Sequence, residues 1–280
     1  MKTRWVMMAV MVALSGMAQA AFVTIGNAGN AADTTGYGAV GYTYQISATE
    51  VTIAEFQLAT GAGDGDENYW NDGTRTVGTN APASYVSLYE AMKYCNWLTS
   101  GDINLGAYVF SSGVYQSTDR ASAITTYGTV YALPTEDEWY KAAYYTGNSG
   151  DLWSLYANGT DTVPTYGTTD GWNYYNGGFV NSSPNYTWTT GFGGEEQNGT
   201  YNMMGNLYEW VEDSSGVRRG GSFSYIENSL RSSLRTDYDP SYEVNDLGFR
   251  VVAIPEPATA LILALGGAVI GLYRRFFGRV

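Results

Sequence analysis

The chain has 280 residues, a formal net charge of −13, and a composition that is 44% hydrophobic and rich in tyrosine and glycine. This is enough apolar material for a packed core, and it predicts a loop-rich fold with limited regular structure. The negative charge disfavours nucleic acid as a partner, and the lack of histidine excludes a Ser-His-Asp triad and histidine-ligated metals. The single cysteine excludes an internal disulfide.

The first 20 residues have the pattern of a secretory signal peptide. Lys2 and Arg4 precede an apolar run at residues 5–14, and the tripeptide Ala-Gln-Ala at residues 18–20 has small residues at its first and last positions. This arrangement predicts cleavage after residue 20 and export of the remainder. We therefore expect one mature domain at residues 21–254, because no second boundary or internal repeat is evident within it.

Three elements are predicted from periodicity and capping residues. Alternation at residues 41–46 predicts a strand, followed by a short helix that begins after Glu50 or Thr52. Ser87 starts a capping box and an apolar helical stripe that ends at Gly101. Cys95 lies on that stripe, so we expect a buried, inert thiol.

The second half of the domain begins with a clear helix, which a long irregular stretch follows. A capping box formed by Thr135 and Glu138 predicts a second helix. Residues 146–199 are mostly Gly, Asn, Thr, Ser and aromatic residues, without obvious elements. Such a long stretch needs something other than a sheet to hold it together, and a bound metal ion is one candidate.

The C-terminus combines a Pro-Glu-Pro tripeptide, an apolar run at residues 258–273 and terminal arginines. The run is slightly shorter than an ordinary membrane-spanning helix needs, and the arginines would stay on the cytoplasmic side. In this order the three features resemble the PEP-CTERM sorting signal of bacterial exported proteins. That resemblance implies an exosortase as processing partner and a place at the cell surface or in extracellular polysaccharide. An ordinary membrane tail anchor is the alternative, and the signal residues are Pro255, Glu256, Pro257, Arg274 and Arg275.

Four phrases of the mature chain, in order, resemble the sulfatase-modifying factor family, whose founding member is the formylglycine-generating enzyme. They are VSLYEAMKYCNWL, LPTEDEWYKAA, YNMMGNLYEWVED, and RRGGSF followed by GFRVV. The match runs over residues 42–252. It implies a single α+β domain, loop-rich and C-type-lectin-like. The residues that fall on framework positions of the family are Trp210, Arg219, Gly220, Gly221 and Arg250.

The resemblance also implies structural calcium sites. At the first site the family ligands match Asn202, Gly205, Leu207 and Glu209, all of which offer the oxygen donors that calcium prefers. The alternative for this segment is a turn stabilised by asparagine and glycine beside a core tryptophan. At the second site the candidates are Asn173 and the Tyr174 carbonyl, with Glu195 or Glu196 as a further ligand.

The family's oxidase uses two cysteines shortly after the GGS motif to bind copper, and this chain has none there. Tyr225 and Leu230 fall at or near those positions, and neither side chain ligates copper(I) as a thiolate does. Copper is therefore not expected as a cofactor. The family disulfide is also missing, because Val251 stands where many relatives have the partner of the residue corresponding to Cys95.

Two functions remain open from the sequence. The first is a non-catalytic, calcium-stabilised module, exported to the cell surface, that binds a polysaccharide or a surface protein or serves a structural role. Residues 222–246 are rich in the Ser, Tyr, Asn and Asp that form adaptable recognition surfaces. The second is a formylglycine-generating oxidoreductase, or an accessory of sulfatase maturation, that acts on a cysteine-containing peptide.

Overall fold

The computed structural model describes residues 21–63, 80–147, 152–167, 169–181 and 193–255. The expected signal peptide at residues 1–20 lies outside them, as does the tail after Pro255, including Glu256, Pro257, Arg274 and Arg275. Within the described ranges, no helix is both long enough and apolar enough to cross a membrane. The described residues form an α+β structure with two four-stranded sheets and one separate hairpin.

The elements are short and widely spaced along the chain. The helices are α1 Ile53–Phe56, α2 Leu88–Ser100, α3 Arg120–Tyr127 and α4 Glu136–Tyr144. The strands are β1 Phe22–Ile25, β2 Tyr44–Ser47, β3 Tyr108–Ser111, β4 Val114–Thr118, β5 Val130–Ala132, β6 Tyr208–Trp210, β7 Val217–Arg219, β8 Thr236–Asp237, β9 Leu247–Phe249 and β10 Val252–Ile254.

The first sheet joins the two ends of the domain in the antiparallel order β1-β2-β10-β5. In β2, Tyr44 and Ile46 are buried and Gln45 is exposed, which is the alternation that predicted this strand. Val252 of β10 pairs with Ile46 on one side and with Ala132 of β5 on the other. The last strand therefore lies between β2 and β5 and joins them in one sheet. The sequence did not predict β1.

The second sheet has the order β8-β7-β6-β9, with β6 parallel to β9 and the other pairs antiparallel. Every residue of β6, β7 and β9 is buried, so this sheet lies inside the domain. The Trp210 indole of β6 donates a hydrogen bond to the Val86 carbonyl at 2.8 Å, which ties the sheet to the start of α2. Glu209 and Trp210 lie in β6 and Arg219 lies in β7, while Leu207, Gly220 and Arg250 directly flank these strands.

The predicted helix starts are confirmed. Ser87 and Thr135 each form a full capping box with the glutamate three residues later, and Thr52 caps α1 in the same way. Gly101 ends α2 in the left-handed conformation. Cys95 lies buried on the inner face of α2, as expected. The helix α3, capped by Asp119, was not predicted.

In the described part of residues 146–199, isolated bridges are the only β structure, and side-chain amides anchor this stretch. Gln197 Nε2 donates to the Ala143 carbonyl at 2.9 Å. Asn198 Nδ2 donates to the carbonyls of Ala142 and Tyr145 at 2.9 and 3.0 Å. These amides satisfy carbonyls at the end of α4 that lack helical partners, so part of the stretch is held without a metal ion.

Candidate functional site

The segment expected to bind the first calcium ion is a tight double turn. Asn202 and Asn206 both adopt left-handed backbone conformations, with φ of 58° and 62°. The Asn206 backbone N–H donates to the Asn173 carbonyl at 2.8 Å, and the Asn173 amide donates to Asn206 Oδ1 at 3.1 Å. The structure thus brings Asn173, a candidate for the second site, against the loop of the first. The Tyr174 hydroxyl donates to the Pro164 carbonyl at 2.9 Å, and the role of the Tyr174 backbone carbonyl as a ligand stays a prediction.

The Glu209 carboxylate, expected as a calcium ligand, is held by an arginine and a tryptophan. Arg250 donates to its two oxygens from Nε and Nη2, at 2.6 Å each, and Trp139 Nε1 donates at 2.7 Å. Arg250 also donates to the carbonyls of Ser47 and Tyr201. Arg250 follows β9 of the second sheet and bonds both to Glu209 in β6 and to the Ser47 carbonyl in β2. The pair Glu209–Arg250 therefore links the two sheets.

The donor set therefore fits a calcium ion only in part. Arg250 already neutralises Glu209, and Oε1 of Glu209 accepts a single bond from Arg250, which leaves it one lone pair. Asn202 contributes a buried amide whose Nδ2 has no hydrogen-bond partner. The described residues contain no cluster of three or more acidic, cysteine or histidine side chains arranged for a metal ion.

The candidates for the second site differ in their availability. Glu196 is buried, and its carboxylate accepts hydrogen bonds from Thr200, from the Met203 and Met204 backbones and from the Trp172 indole. These donors leave it little capacity for a cation. Its neighbour Glu195 is exposed and accepts a bond from the Tyr201 hydroxyl at 3.3 Å. The sequence predicted one or the other as a ligand, and the contacts of the two carboxylates favour neither as an open ligand near Asn173.

Buried acid outnumbers buried base around Arg250. Glu50, Glu196 and Glu209 are all buried, and each interacts electrostatically with this one guanidinium. Burial, followed by repulsion from Glu209, raises the pKa of Glu50 to about 8. Burial likewise raises the pKa of Glu196 to about 7, against the opposing effects of Arg250 and its hydrogen bonds. At pH 7 the Glu50 carboxyl is therefore mainly neutral, whereas Glu196 is close to its pKa and only partly protonated.

The glycine pair after β7 makes a turn that no other residue would fit. Gly220 has φ of 94°, and a Cβ there would lie 2.7 Å from the Met203 carbonyl oxygen. Gly221 has φ of 74°, and its Cβ would lie 2.5 Å from Ser229 Oγ. Positive φ and close approach both require glycine. The preceding Arg219 is buried and forms a salt bridge with Glu136 at 2.5 Å.

Tyr225 and Leu230, which the family resemblance places at or near the oxidase cysteines, lie in different environments. Tyr225 is 44% exposed, and its carbonyl accepts a hydrogen bond from the Tyr175 N–H at 2.8 Å. Leu230 is completely buried at the end of a 3₁₀ turn, Glu227–Leu230. Cys95 is also enclosed, and burial raises the pKa of its thiol well above the usual range. The chain thus offers no exposed thiolate near Tyr225.

The model of the sulfatase-modifying factor enzyme 1-like domain matches residues 39–254 of the chain. The chain belongs to the sulfatase-modifying factor family. None of the curated proteins matches it significantly. The family assignment agrees with the capping boxes, the glycine turn and the Glu209–Arg250 pair, all of which fall inside the matched range.

Solved structures share the family fold at low sequence identity. The crystal structure of CarF is 21% identical with a TM-score of 0.54, covering 84% of this chain and 98% of that one. The Treponema denticola variable protein 1 is 22% identical with a TM-score of 0.53, covering 84% and 95%. PvdO from Pseudomonas aeruginosa is 20% identical with a TM-score of 0.51, covering 83% and 91%. At these low sequence identities, the similarity supports a shared fold and nothing further.

Two features of this family member were missed by sequence reasoning. Glu50 was considered only as a residue before α1, although it is completely buried against Asn206. Arg218 was passed over beside Arg219, although its guanidinium lies between the rings of Tyr208 and Tyr238. The alternation of side chains along a strand was the available signal, since neighbouring arginines in β7 must point to opposite faces.

Proposed function

We propose that this protein is an exported, non-catalytic member of its family that binds a ligand at the surface around Tyr225. Export to the cell surface follows from the N-terminal and C-terminal sequence features. A binding role is supported by the exposed aromatic side chains of this surface. Tyr225, Phe179 and Ile226 are each 44–49% exposed, and Phe179 packs against Phe223 and Tyr175.

The observation that carries the proposal is the environment of the only thiol in the chain. Cys95 is buried in the core, and the family resemblance places Tyr225 and Leu230 at or near the positions where the oxidase has its cysteines. Copper(I) needs soft thiolate ligands, which a phenol and an alkyl side chain do not provide. Peptide oxidation by the family mechanism is therefore not expected of this chain.

The test is an oxidation assay with copper. The purified protein is incubated with a cysteine-containing sulfatase peptide, copper and oxygen, and the peptide mass and oxygen consumption are followed. Cys95→Ser is the matched control, and a formylglycine-generating enzyme is the positive control. Wild type and Cys95→Ser should both leave the peptide unchanged. Formation of formylglycine by the wild type would establish the oxidase instead, and its loss in Cys95→Ser would assign the reaction to this thiol.

Calcium at the first site is part of the proposal. The ligands would be Asn202, the carbonyls of Gly205 and Leu207, and the Glu209 oxygen that keeps a lone pair, so the ion would stabilise the double turn. Because Arg250 shares that carboxylate, we expect modest affinity. The measurement compares metal content and melting temperature with and without a chelator. If the protein contains no metal, and neither chelator nor added calcium changes its melting temperature, the calcium site is refuted.

The two ends predict the location and the partners. An exosortase would process the tail, and the ligand would be a polysaccharide or a surface protein. Deleting residues 255–280 should move the protein from the envelope fraction into the medium. The control is a variant with Arg274 and Arg275 replaced by lysine, which keeps the charge. An unchanged location after the deletion would argue against a sorting role for this segment.

A further inference from the structure

Arg218 is held between two tyrosine rings. It precedes Arg219 in β7, and the two side chains leave the strand on opposite faces. Whereas Arg219 pairs with Glu136, the central carbon of the Arg218 guanidinium lies 4.2 Å from the ring centroid of Tyr208 and 4.3 Å from that of Tyr238. Only 7% of Arg218 is exposed. The rings therefore fix the guanidinium plane in advance of any ligand.

Among the described residues, Arg218 has no carboxylate at salt-bridge distance. Arg219 and Arg250, the other buried arginines in the described ranges, each pair with a glutamate. Arg218 Nε is buried and has no hydrogen-bond partner among the described residues. The two Nη atoms also bond to no described residue, but they are not fully buried. A buried guanidinium that no carboxylate contacts directly keeps unsatisfied donors, so this site gains from an anionic group that reaches the Nη atoms.

Asp246 is the acidic group that faces this arginine, and it has another hydrogen-bond partner. Burial raises the pKa of the Asp246 carboxyl, and the charge of Arg218 opposes that rise. Its Oδ2 accepts a hydrogen bond from Ser222 Oγ at 3.0 Å. Asp246 thus balances Arg218 through space and leaves the donor nitrogens of the guanidinium available.

Two further tyrosines extend the sandwich to the surface. Tyr225 packs edge-on against Tyr208 with centroids 5.3 Å apart, and Tyr242 packs in the same way against Tyr238 at 5.3 Å. These outer rings are 44% and 52% exposed. We call the set Tyr225, Tyr208, Arg218, Tyr238 and Tyr242 the tyrosine row. It presents a fixed cation flanked by two half-exposed aromatic rings.

We propose that the tyrosine row binds an acidic saccharide, with Arg218 bound to a uronate carboxylate and a sugar ring against Tyr225 or Tyr242. This inference rests on the proposed binding function and names its ligand. A guanidinium matches a carboxylate in bidentate geometry, and the outer tyrosines offer flat apolar faces with polar edges. The net charge of −13 opposes a densely charged polymer, so the carboxylates of the ligand are spaced among neutral sugars.

A saccharide suits this surface better than a peptide. Extended peptides commonly bind by adding a strand to a sheet edge. The edge strand next to β7 is β8, Thr236–Asp237, which is only two residues long. Such an edge offers too few backbone groups for strand addition, whereas ring stacking and a single charged contact need no edge.

The experiment is calorimetric titration of the full mature protein with three probes. These are an oligosaccharide with one glucuronate among neutral sugars, the matched neutral oligosaccharide, and a short glutamate-containing peptide. Wild type should bind the acidic saccharide most tightly, and Arg218→Gln should weaken that binding about 10- to 100-fold, as expected for a charged hydrogen-bonded contact. Arg231→Gln is the matched control, since Arg231 lies outside the row and donates to the Tyr156 hydroxyl.

Two more variants keep the test decisive if Arg218→Gln does not fold. Arg218→Lys keeps the charge but loses the bidentate geometry, so it should bind the acidic saccharide more weakly than wild type. Replacing both Tyr225 and Tyr242 by alanine keeps Arg218 and should weaken binding of both saccharides. Lack of saccharide binding by wild type, preference for the peptide, or equal affinity of wild type and a folded Arg218 variant would each overturn the inference.

Failure here is distinguishable from failure of the proposed function. Equal binding of neutral and acidic saccharides, unaffected by Arg218→Gln, would refute the carboxylate contact and leave a binding module. Oxidation of a cysteine peptide in the copper assay would refute the non-catalytic role, whatever the titration shows.

Discussion

Replacing Glu50 by glutamine should change how the stability of the protein depends on pH. Glu50 is completely buried, its Oε1 accepts a hydrogen bond from Asn206 Nδ2 at 2.8 Å, and its Oε2 has no hydrogen-bond partner among the residues that the structure describes. Burial and the charge of Glu209 raise its pKa from 4.5 to about 8, although Arg250 opposes them. The folded protein therefore keeps this carboxyl protonated at pH 7.

The sign and size of the effect follow from proton linkage. In the unfolded chain Glu50 ionises near pH 4.5, so between that pH and about 8 the folded state holds the extra proton. The stability that this group contributes is complete below pH 4.5 and is lost as the pH rises to about 8. At about 1.4 kcal/mol per pH unit, the free energy of unfolding should fall by up to about 4 kcal/mol between pH 5 and 8. Glu196, whose pKa burial raises to about 7, acts in the same direction.

The assay is urea unfolding at pH 5 and pH 8, in a chelator so that no cation compensates the carboxylates. Glu50→Gln should lose much less stability between the two pH values than wild type. At pH 5 its stability should lie within about 1 kcal/mol of wild type, because the amide replaces a protonated carboxyl whose Oε2 also lacks a partner among the described residues. Glu195→Gln, at an exposed position, is the control and should follow wild type. Equal losses in wild type and Glu50→Gln would mean that Glu50 is ionised in the folded protein.

Three other predictions concern the scaffold. Cys95 should react with a thiol reagent only at the rate of unfolding, because the thiol is enclosed and its pKa is raised; fast labelling in native buffer would contradict its burial. Gly221→Ala should cost at least about 1–3 kcal/mol in chemical unfolding, because φ is 74° and the added Cβ lies 2.5 Å from Ser229 Oγ, whereas Gly113→Ala, at a similar φ but with open space around it, should cost less. Thr135→Ala should cost about 1 kcal/mol through loss of the α4 cap, and Thr135→Ser should restore most of it; equal stability of both variants would exclude the cap as the cause.

Local signals predicted the elements that carry them. The capping boxes at Ser87 and Thr135 marked α2 and α4 to the residue, because a cap is made by side chains within one turn. The strands β5, β8 and β10 have two or three residues each, too few for alternation to be recognised. Their positions depend on pairing between residues far apart in the chain, such as Val252 with Ala132.

In the candidate site, too, local motifs were predictable and contacts between distant residues were not. The motif around Glu209 was found from the sequence, but its pairing with Arg250 is a contact across 41 positions that the motif does not reveal. The Glu209 carboxylate was therefore predicted as a calcium ligand from its motif alone, although Arg250 competes with a cation for its oxygens. The burial of Glu50 was equally hidden, because a glutamate in a polar segment is normally exposed.

The alternation of β7 explains how the family scaffold can carry a different surface. Arg219 points to Glu136, and the following glycines turn the chain against Met203 and Ser229, so one side of this segment is fixed by packing. Arg218 points to the other side, where its neighbours are tyrosine rings and the surface rather than the buried Glu209–Arg250 pair. Changes at the tyrosine row therefore leave the contacts that join the sheets intact. Residues on the Arg218 side of β7 can therefore vary while Arg219 and the two glycines keep the packing of the fold.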